Sequence, residues 1–178
     1  RLQGKVAVIT GAASGIGEAA VELFVDQGCQ VLAADKNEAA GAALADRLGP
    51  AVHFMPCDVT DCAQLKAAID GAAAHFGGLD ILFSNAGAGG TAAGVEAFDP
   101  ASWDHTQALL LRSVAAGAAY AVPHMRQRGG GSIVNTSSVS ALQAGYAPLC
   151  YSVAKAGVLH YTRVAAAELA PQRIRINA

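Results

Sequence analysis

The sequence predicts an α/β fold in which a doubly wound parallel sheet lies between two layers of helices, a three-layer α/β/α arrangement. Short apolar runs rich in β-branched residues alternate with longer, alanine-rich segments of helical periodicity. Parallel neighbours need crossover connections, and the intervening helices supply them. The first four apolar runs are nearly continuous, as expected for strands covered on both faces. No linker or composition break divides the chain, so one domain over residues 1–178 is expected.

Six strands and five helices follow from these patterns. The strand candidates are Val6–Thr10, Gln30–Asp35, Val52–Cys57, Ile81–Asn85, Ser132–Ser137 and Arg173–Asn177. The helix candidates are Gly15–Gln27, Glu38–Leu48, Cys62–Phe76, Ser102–Arg128 and Leu149–Leu169. Asn37 and Asp61 stand where side-chain N-caps belong, and Gly28, Gly49 and Gly77 follow the helices that they would terminate.

Composition and charge exclude several classes of protein. Hydrophobic residues make up 53% of the chain and the net charge is only −2, which excludes a disordered chain. Twelve basic residues against 14 acidic ones give no basic excess, which argues against binding to nucleic acid. The four cysteines and five histidines show no metal-ligand spacing, so no metal site is expected. Reduced thiols and the lack of a secretory signal at the start predict a cytoplasmic protein without membrane attachment.

One long segment, Gly129–Ala154, carries no Asp, Glu, Lys or Arg. It is long enough to span a bilayer, yet it contains Asn135, Thr136, several serines and Pro148. An uncharged but polar and Ser-rich segment is more typical of an enclosed site than of contact with lipid.

A glycine-rich turn follows the first predicted strand. Gly11, Gly15 and Gly17 lie where the chain enters the first helix. Glycines there permit a tight turn and let the backbone approach a pyrophosphate, which the helix N-terminus then holds. The second strand ends at Asp35, whose carboxylate can accept hydrogen bonds from a ribose diol and repels a 2′-phosphate. Lys36 leaves some ambiguity, but the pattern favours NAD over NADP.

Two further strand ends extend the same crevice. Asp58-Val59 follows the third strand, and Asn85-Ala86-Gly87 follows the fourth. Ligands of open α/β sheets bind beyond the carboxyl ends of the strands. Helix capping or loop solvation for Asp58, and a turn-supporting role for Asn85, remain open at this stage.

The fifth strand leads into Ser137 and Ser138, and Tyr151 and Lys155 follow at the start of the last helix. Their i, i+4 spacing puts Tyr151 and Lys155 on one helical face. A tyrosine that exchanges protons near neutral pH needs its ionised form stabilised, and a nearby ammonium does this. The set therefore predicts a proton-transfer site.

Together these motifs resemble the short-chain dehydrogenase/reductase family, in its shorter NAD-dependent branch with a Rossmann fold. The resemblance covers the whole chain and rests on the glycine turn, Asn85-Ala86-Gly87, Ser138 and the pair Tyr151 and Lys155, in the family's order and spacing. It implies an oxidoreductase that transfers a hydride between NAD and a secondary alcohol or ketone, and a homodimer or homotetramer.

The resemblance also implies roles for single residues. Tyr151 would be the general acid and base, Ser138 would orient the substrate oxygen, and Lys155 would lower the tyrosine pKa and hold the nicotinamide ribose. Ser14 and Ile16 match turn positions that contact the cofactor, whereas Asp58 and Val59 match the adenine wall. Ser137 and Ser140 are competing hydroxyls.

Two departures from the family pattern leave alternatives open. Family members usually carry an Asn of a water-linked proton path where this chain has Leu110, so an NAD-binding module or redox sensor with little turnover remains an alternative. The residues Arg173–Ala178 resemble the next-to-last strand, after which a substrate-covering lobe is expected, so a fragment or a partly ordered longer chain is predicted. Leu142, Gln143 and Cys150 are expected near an uncharged substrate.

Overall fold

The computed structural model describes residues 1–178. Its strands are β1 (Val6–Thr10), β2 (Gln30–Asp35), β3 (Val52–Pro56), β4 (Ile81–Ser84), β5 (Gly131–Asn135) and β6 (Ile174–Asn177). Its helices are α1 (Gly15–Asp26), α2 (Glu38–Leu48), α3 (Cys62–Phe76), α4 (Pro100–Gln107), α5 (Ser113–Gln127) and α6 (Leu149–Leu169). All strands are parallel and form one sheet in the order β3-β2-β1-β4-β5-β6.

The helices lie on both faces of the sheet, which confirms the predicted fold class. One face carries α3, α5 and α6, whose Leu65, Ile69 and Met125 pack in a common core with alternate strand residues such as Val8 and Ile133. The opposite face carries α1 and α2. Their side chains pack against the strand residues that point the other way. Side chains of successive strand residues point to opposite faces, so β1, β2 and β4 contribute to both cores.

The predicted elements are confirmed except for one helix. Strand and helix ends differ from the predicted ones by at most two residues, but the continuous helix predicted over Ser102–Arg128 is wrong. Asp99 accepts a hydrogen bond from the backbone of Ser102, and Pro100 occupies the first turn, so the helix begins earlier. Residues Ala108–Arg112 then form a π-helical turn between α4 and α5. A π turn inserts extra backbone and re-aims the side chains around it, which a 3.6-residue period does not reveal.

The strand order creates a switch point between β1 and β4. The chain reaches β3 at one edge of the sheet and then crosses to β4 on the other side of β1. The connections leaving β1 and β4 therefore run in opposite directions and leave a crevice at their carboxyl ends, where ligands bind in such sheets. No helix of the structure is both long and apolar enough to cross a membrane.

The opposite end of the sheet is held by a buried carboxylate. Asp80 precedes β4, and its side chain accepts hydrogen bonds from the Val6 backbone at 3.0 Å, Arg128 at 3.0 Å and Lys5 at 3.2 Å. Burial disfavours the ionised carboxylate, but these three donors outweigh that effect and lower the pKa of Asp80. The ion pairs thus tie the entrances of β1, β4 and β5 together.

Replacing Asp80 with Asn is expected to reduce the free energy of unfolding by about 2 kcal/mol at pH 7, because it leaves the buried Val6 N–H and two cationic side chains with a weaker, neutral acceptor. The lowered pKa means that the carboxylate stabilises the fold above about pH 4, its ordinary unfolded pKa, and loses this effect as the pH falls through its folded-state pKa. Urea unfolding at several pH values should show wild type and variant converging in acid. Asp46→Asn, at an exposed position on α2, is the control. An equal loss of unfolding free energy in both variants would contradict the stabilising role of the Asp80 carboxylate.

Candidate functional site

A cavity of about 640 Å³ lies at the carboxyl ends of the inner strands. It contains most of the residues that the sequence predicts for the site. Those lining it are Gly11, Ser14, Gly15, Ile16, Asp35, Asp58, Val59, Asn85, Ala86, Gly87, Tyr151 and Lys155. Gly17 and Ser138 do not line this cavity. The topology therefore brings together positions that are spread over most of the chain.

The glycine turn is packed so closely that side chains do not fit. A Cβ atom at Gly17 would lie 1.9 Å from the carbonyl oxygen of Gly11, and one at Gly11 would lie 2.8 Å from the Cα of Ala86. Gly11 also has a φ of +64°, which L-residues rarely adopt. Gly17 thus lies behind the turn and lets the first turn of α1 meet β1, while Gly11 and Gly15 face the cavity.

The N-terminus of α1 has no side-chain cap. Asn37, Asp61 and Asp99 accept backbone hydrogen bonds at the starts of α2, α3 and α4, whereas Ser14 makes no such bond at the start of α1. The first N–H groups of a helix have no partner within the helix. At α1 they lie beside the cavity, where an anionic group could accept their hydrogen bonds and interact with the helix dipole.

Asp35 lies on the cavity wall at the end of β2 and is held by two backbone donors. One carboxylate oxygen accepts from the Ala13 N–H and the other from the Asn37 N–H, both at 2.9 Å. The first bond joins the end of β2 to the glycine turn. Each oxygen keeps lone-pair capacity for a further donor such as a ribose hydroxyl. Lys36 lines the cavity next to it.

Asn85 supports the glycine turn from the end of β4. Its side-chain amide donates to the carbonyl oxygens of Thr10 at 3.2 Å and Gly11 at 3.4 Å. The Thr10 hydroxyl in turn accepts the N–H groups of Asn85 and Ala86, each at 3.1 Å. Asn85 also accepts a 3.4 Å hydrogen bond from the Thr136 hydroxyl. This network joins β1, β4 and β5 at the cavity, so the turn-supporting role of Asn85 is present in the structure.

The end of β3 forms another wall. Val59 is buried, and Asp58 accepts hydrogen bonds from the Thr60 backbone at 2.9 Å and the Thr60 hydroxyl at 2.8 Å. These bonds, with a smaller contribution from Lys36 and His105, lower the pKa of Asp58. Asp58 therefore stabilises its own loop while it lines the cavity.

Cys57 is the cysteine that lines the cavity, and it is buried. Burial raises its pKa to about 11, and the carboxylate of Asp58 adds to the shift. A thiol of such pKa carries almost no thiolate at neutral pH, and the thiolate is the reactive form.

Tyr151 and Lys155 lie together at the cavity's other wall, at the start of α6. The Lys155 ammonium is 5.6 Å from the centre of the Tyr151 ring and donates to the Thr136 carbonyl oxygen at 2.7 Å. Lys155 is only 3% exposed, and burial lowers its pKa. Because a buried ammonium is poorly solvated, a negative group nearby gains a strong interaction with it.

The three serines after β5 have different surroundings. Ser137 donates its hydroxyl to the carbonyl oxygen of Lys155 at 3.0 Å, which anchors α6. Ser138 precedes the short 3₁₀ helix Val139–Ala141, and its Oγ accepts the N–H of Ser140 at 3.2 Å and the Ser140 hydroxyl at 3.0 Å. Ser140 itself is buried. Only Ser138 is partly exposed without donating its hydroxyl within the protein.

Sequence patterns did not identify several of the residues that line the cavity. His105 and Leu109 line the cavity and stand one helical turn apart, a signal that the 3.6-residue period could have shown. Thr136, Tyr146 and Pro148 also line it. The last two lie in the loop before α6, and no periodicity determines the course of such a loop.

Other residues that the sequence singles out lie outside the lining of the cavity. Leu142, Gln143 and Cys150 do not line the cavity; Leu142 is 71% exposed, and Cys150 is buried. Cys150 accepts hydrogen bonds from Gln107 through its carbonyl oxygen and its sulfur. Leu110 lies in the π turn, is fully buried, and would be 3.1 Å from a Cβ at Gly87. At the position where the family resemblance implies the Asn of a proton path, the structure therefore holds a buried apolar side chain.

Comparison with known proteins gives a consistent result. Residues 5–178 match the model of the family described as short chain dehydrogenase. A crystal structure from Burkholderia xenovorans, assigned to the short-chain dehydrogenases/reductases, superposes with a TM-score of 0.91 at 37% identity and covers 99% of this chain and 73% of that one.

Curated relatives span the same region. The chain is 41% identical over 182 residues to sex determination protein tasselseed-2 of Zea mays and 41% identical over 177 residues to cis-4-hydroxycyclohexanecarboxylate dehydrogenase of Sinomonas cyclohexanicum. It is 38% identical over 178 residues to (+)-borneol dehydrogenase 1 of Salvia officinalis. The matches cover 98–99% of this chain but only 54%, 71% and 68% of those three proteins.

Proposed function

Because this chain belongs to the short-chain dehydrogenase family, we propose that it is an oxidoreductase that transfers a hydride between NAD and a secondary alcohol or ketone. The observation that carries the proposal is the position of Tyr151 and Lys155 in the same cavity as the glycine turn and Asp35. The proposal therefore assigns a proton-exchanging group and a dinucleotide-binding surface to one site. A cavity that only stored the dinucleotide would need no tyrosine beside a buried ammonium.

The residues of the cavity fit a nicotinamide dinucleotide. At Gly15 no atom lies within 4 Å of the position of a Cβ, so the turn is open there, and the uncapped N-terminus of α1 offers N–H groups for a pyrophosphate. Asp35 would accept the hydroxyls of the adenine ribose, and Asp58 and Val59 would flank the adenine. Lys155 would hold the hydroxyls of the nicotinamide ribose. When bound, the dinucleotide supplies hydride exchange at its nicotinamide ring.

Tyr151 would move the proton. In ketone reduction its hydroxyl donates a proton to the substrate oxygen, and in alcohol oxidation its phenolate accepts one. The hydrogen bond of Lys155 to Thr136 holds the ammonium in place, 5.6 Å from the centre of the Tyr151 ring. Ser138 would donate a hydrogen bond to the substrate oxygen. Asn85 acts at a distance, by holding the glycine turn against the end of β4.

Asp35 would select NAD. Replacing it with Ala removes an acceptor for the ribose hydroxyls and the charge that repels a 2′-phosphate, so the preference for NAD over NADP is expected to fall about 10- to 100-fold. The dissociation constants of both dinucleotides, measured by calorimetry, check this. Asp46→Ala on the exposed face of α2 should leave the preference unchanged. An unchanged preference in Asp35→Ala would show that other groups choose the cofactor.

The substrate is proposed to be an uncharged or weakly polar alcohol or ketone. The loops beside Tyr151 carry no charged side chain from Gly129 to Ala154, so a charged substrate would find no partner there. The relative named for borneol acts on an uncharged ring alcohol, which agrees with this proposal. The relative named for cis-4-hydroxycyclohexanecarboxylate shares the secondary ring alcohol but its substrate carries a charge.

A second candidate function is an NAD-binding module or redox sensor with little turnover. The buried Leu110 favours it, because an apolar side chain without donors or acceptors cannot hold a relay water. The arrangement of Tyr151 and Lys155 favours the enzyme.

Three further features stay predictions. They are association into a homodimer or homotetramer, a single domain over residues 1–178 and a cytoplasmic location.

A substrate screen distinguishes the two functions. The protein is incubated with NAD and, in turn, cyclohexanol, borneol, threitol and cis-4-hydroxycyclohexanecarboxylate, and the formation of NADH is followed by absorbance. Turnover of a secondary alcohol supports the enzyme. Tight NAD binding, measured by calorimetry, without turnover of any alcohol or reduction of the matching ketones favours the sensor.

A further inference from the structure

The hydroxyl of Ser140 lies directly behind that of Ser138. Ser140 is 6% exposed, and its Oγ donates to the Ser138 Oγ at 3.0 Å. Its backbone N–H donates to the same oxygen at 3.2 Å. The Ser140 hydroxyl makes no other hydrogen bond within the protein. Two donors of one residue therefore converge on a single oxygen of its neighbour.

The two hydrogen bonds from Ser140 determine which further hydrogen bond the Ser138 hydroxyl can make. A serine hydroxyl has one proton to donate and two lone pairs that accept. Both lone pairs of Ser138 are used by Ser140, so the remaining hydrogen bond of Ser138 must be one in which it donates. We infer that Ser140 is a positioning residue that holds Ser138 as a hydrogen-bond donor toward the substrate oxygen.

A fixed donor suits both directions of the proposed reaction, on which this inference rests. The carbonyl oxygen of a ketone accepts hydrogen bonds only, and it gains negative charge as a hydride reaches its carbon. A donor held in place beforehand stabilises that charge without reorganising during the reaction. A serine with a free lone pair could instead accept a hydrogen bond from the hydroxyl of an alcohol. It would then compete with Tyr151, which must accept that same hydrogen bond. Ser140 removes that possibility by filling the lone pairs.

The test is a double-mutant cycle on Ser138 and Ser140. With the most active alcohol of the panel above, Ser140→Ala is expected to lower kcat/KM about tenfold, the effect of one lost hydrogen bond. In a Ser138→Ala background the same change should have almost no further effect, because Ser140 acts only through Ser138. Ser140→Cys keeps a weaker donor and should fall between wild type and Ser140→Ala. Ser132→Ala, at the opposite end of β5, is the matched control.

A binding measurement separates positioning from a general loss of structure. Cyclohexanecarboxamide offers a carbonyl oxygen that is not reduced, and its affinity is measured by calorimetry in the presence of NADH. Ser140→Ala should weaken the binding of cyclohexanecarboxamide, whereas NADH affinity and Tm should stay near those of wild type.

The inference is overturned by full activity in Ser140→Ala when Ser138→Ala is impaired, by an equal loss of kcat/KM in the Ser138→Ala background, or by unchanged carboxamide affinity. Loss of NADH binding in Ser140→Ala would also overturn it, since the change would then act on the cofactor site. The proposed function itself fails if the wild type turns over no alcohol of the panel, and its proton-transfer step fails if activity survives in Tyr151→Phe; neither result depends on Ser140.

Discussion

Replacing Tyr151 with Phe is expected to lower kcat for NAD-dependent alcohol oxidation by about 10²- to 10⁴-fold, the usual contribution of a positioned general acid or base. The phenyl ring keeps the packing of the start of α6 but has no hydroxyl to exchange a proton. Lys155 keeps its bond to Thr136, so the dinucleotide should still bind. Steady-state kinetics with the most active alcohol of the panel, together with calorimetry of NAD binding, check both expectations.

Tyr161→Phe is the matched control for this variant. It removes a phenol from the same helix at a position that packs against the core and does not line the cavity. Its kcat should stay within about twofold of wild type, because the Tyr161 hydroxyl lies outside the cavity. Substantial activity in Tyr151→Phe, with folding and NAD binding intact, would eliminate Tyr151 as the proton-transfer group.

Replacing Gly17 with Ala is expected to weaken NAD binding about 100-fold or more and to lower the free energy of unfolding by about 1–3 kcal/mol, the usual cost of overpacking. The new Cβ would lie 1.9 Å from the Gly11 carbonyl oxygen and 2.9 Å from the Asn85 amide nitrogen. The first contact is with backbone, so the turn itself must move. That movement displaces the uncapped N–H groups of α1 from the position where they would meet the pyrophosphate.

Gly94→Ala controls for the general effect of adding a methyl group. A Cβ at Gly94 meets no atom within 4 Å, and the backbone there has a φ of −80°, which alanine adopts readily. NAD affinity by calorimetry and urea unfolding are measured for both variants. If Gly17→Ala binds NAD as wild type does, the close contact at Gly11 does not control the cofactor site.

Much of the fold could be predicted from the sequence because its signals are local. Asn37 and Asp61 cap α2 and α3 as their side chains predict, and Gly77 ends α3 in the left-handed conformation that glycine allows. Buried parallel strands require continuous apolar runs, so β1 and β2 were placed with their correct ends. The π turn at Ala108–Arg112 escaped prediction because packing of the helix, and not its apolar period, determines it.

The candidate site likewise has features that the sequence predicts and contacts that only the tertiary structure reveals. The spacing of Tyr151 and Lys155 on one helix already places both on one face, and the glycine turn is a contiguous motif. The partners of these residues come from distant parts of the chain. Thr136 accepts the Lys155 hydrogen bond, and His105 reaches the cavity from α4. No pattern within a short window can reveal contacts between elements that are separated by a whole crossover.

The sequence by itself determined the fold class, the glycine turn, the acidic end of β2 and the Tyr151 and Lys155 pair, because each depends on periodicity or on residues close along the chain. Only the tertiary structure decided the strand order, which puts β4 beside β1 and opens the cavity at their carboxyl ends. It also decided which serine hydroxyl stays free to donate, since hydrogen bonds to Ser140 and Lys155 distinguish three serines that look alike in sequence. The physical reason is that burial and hydrogen-bond partners arise from long-range packing.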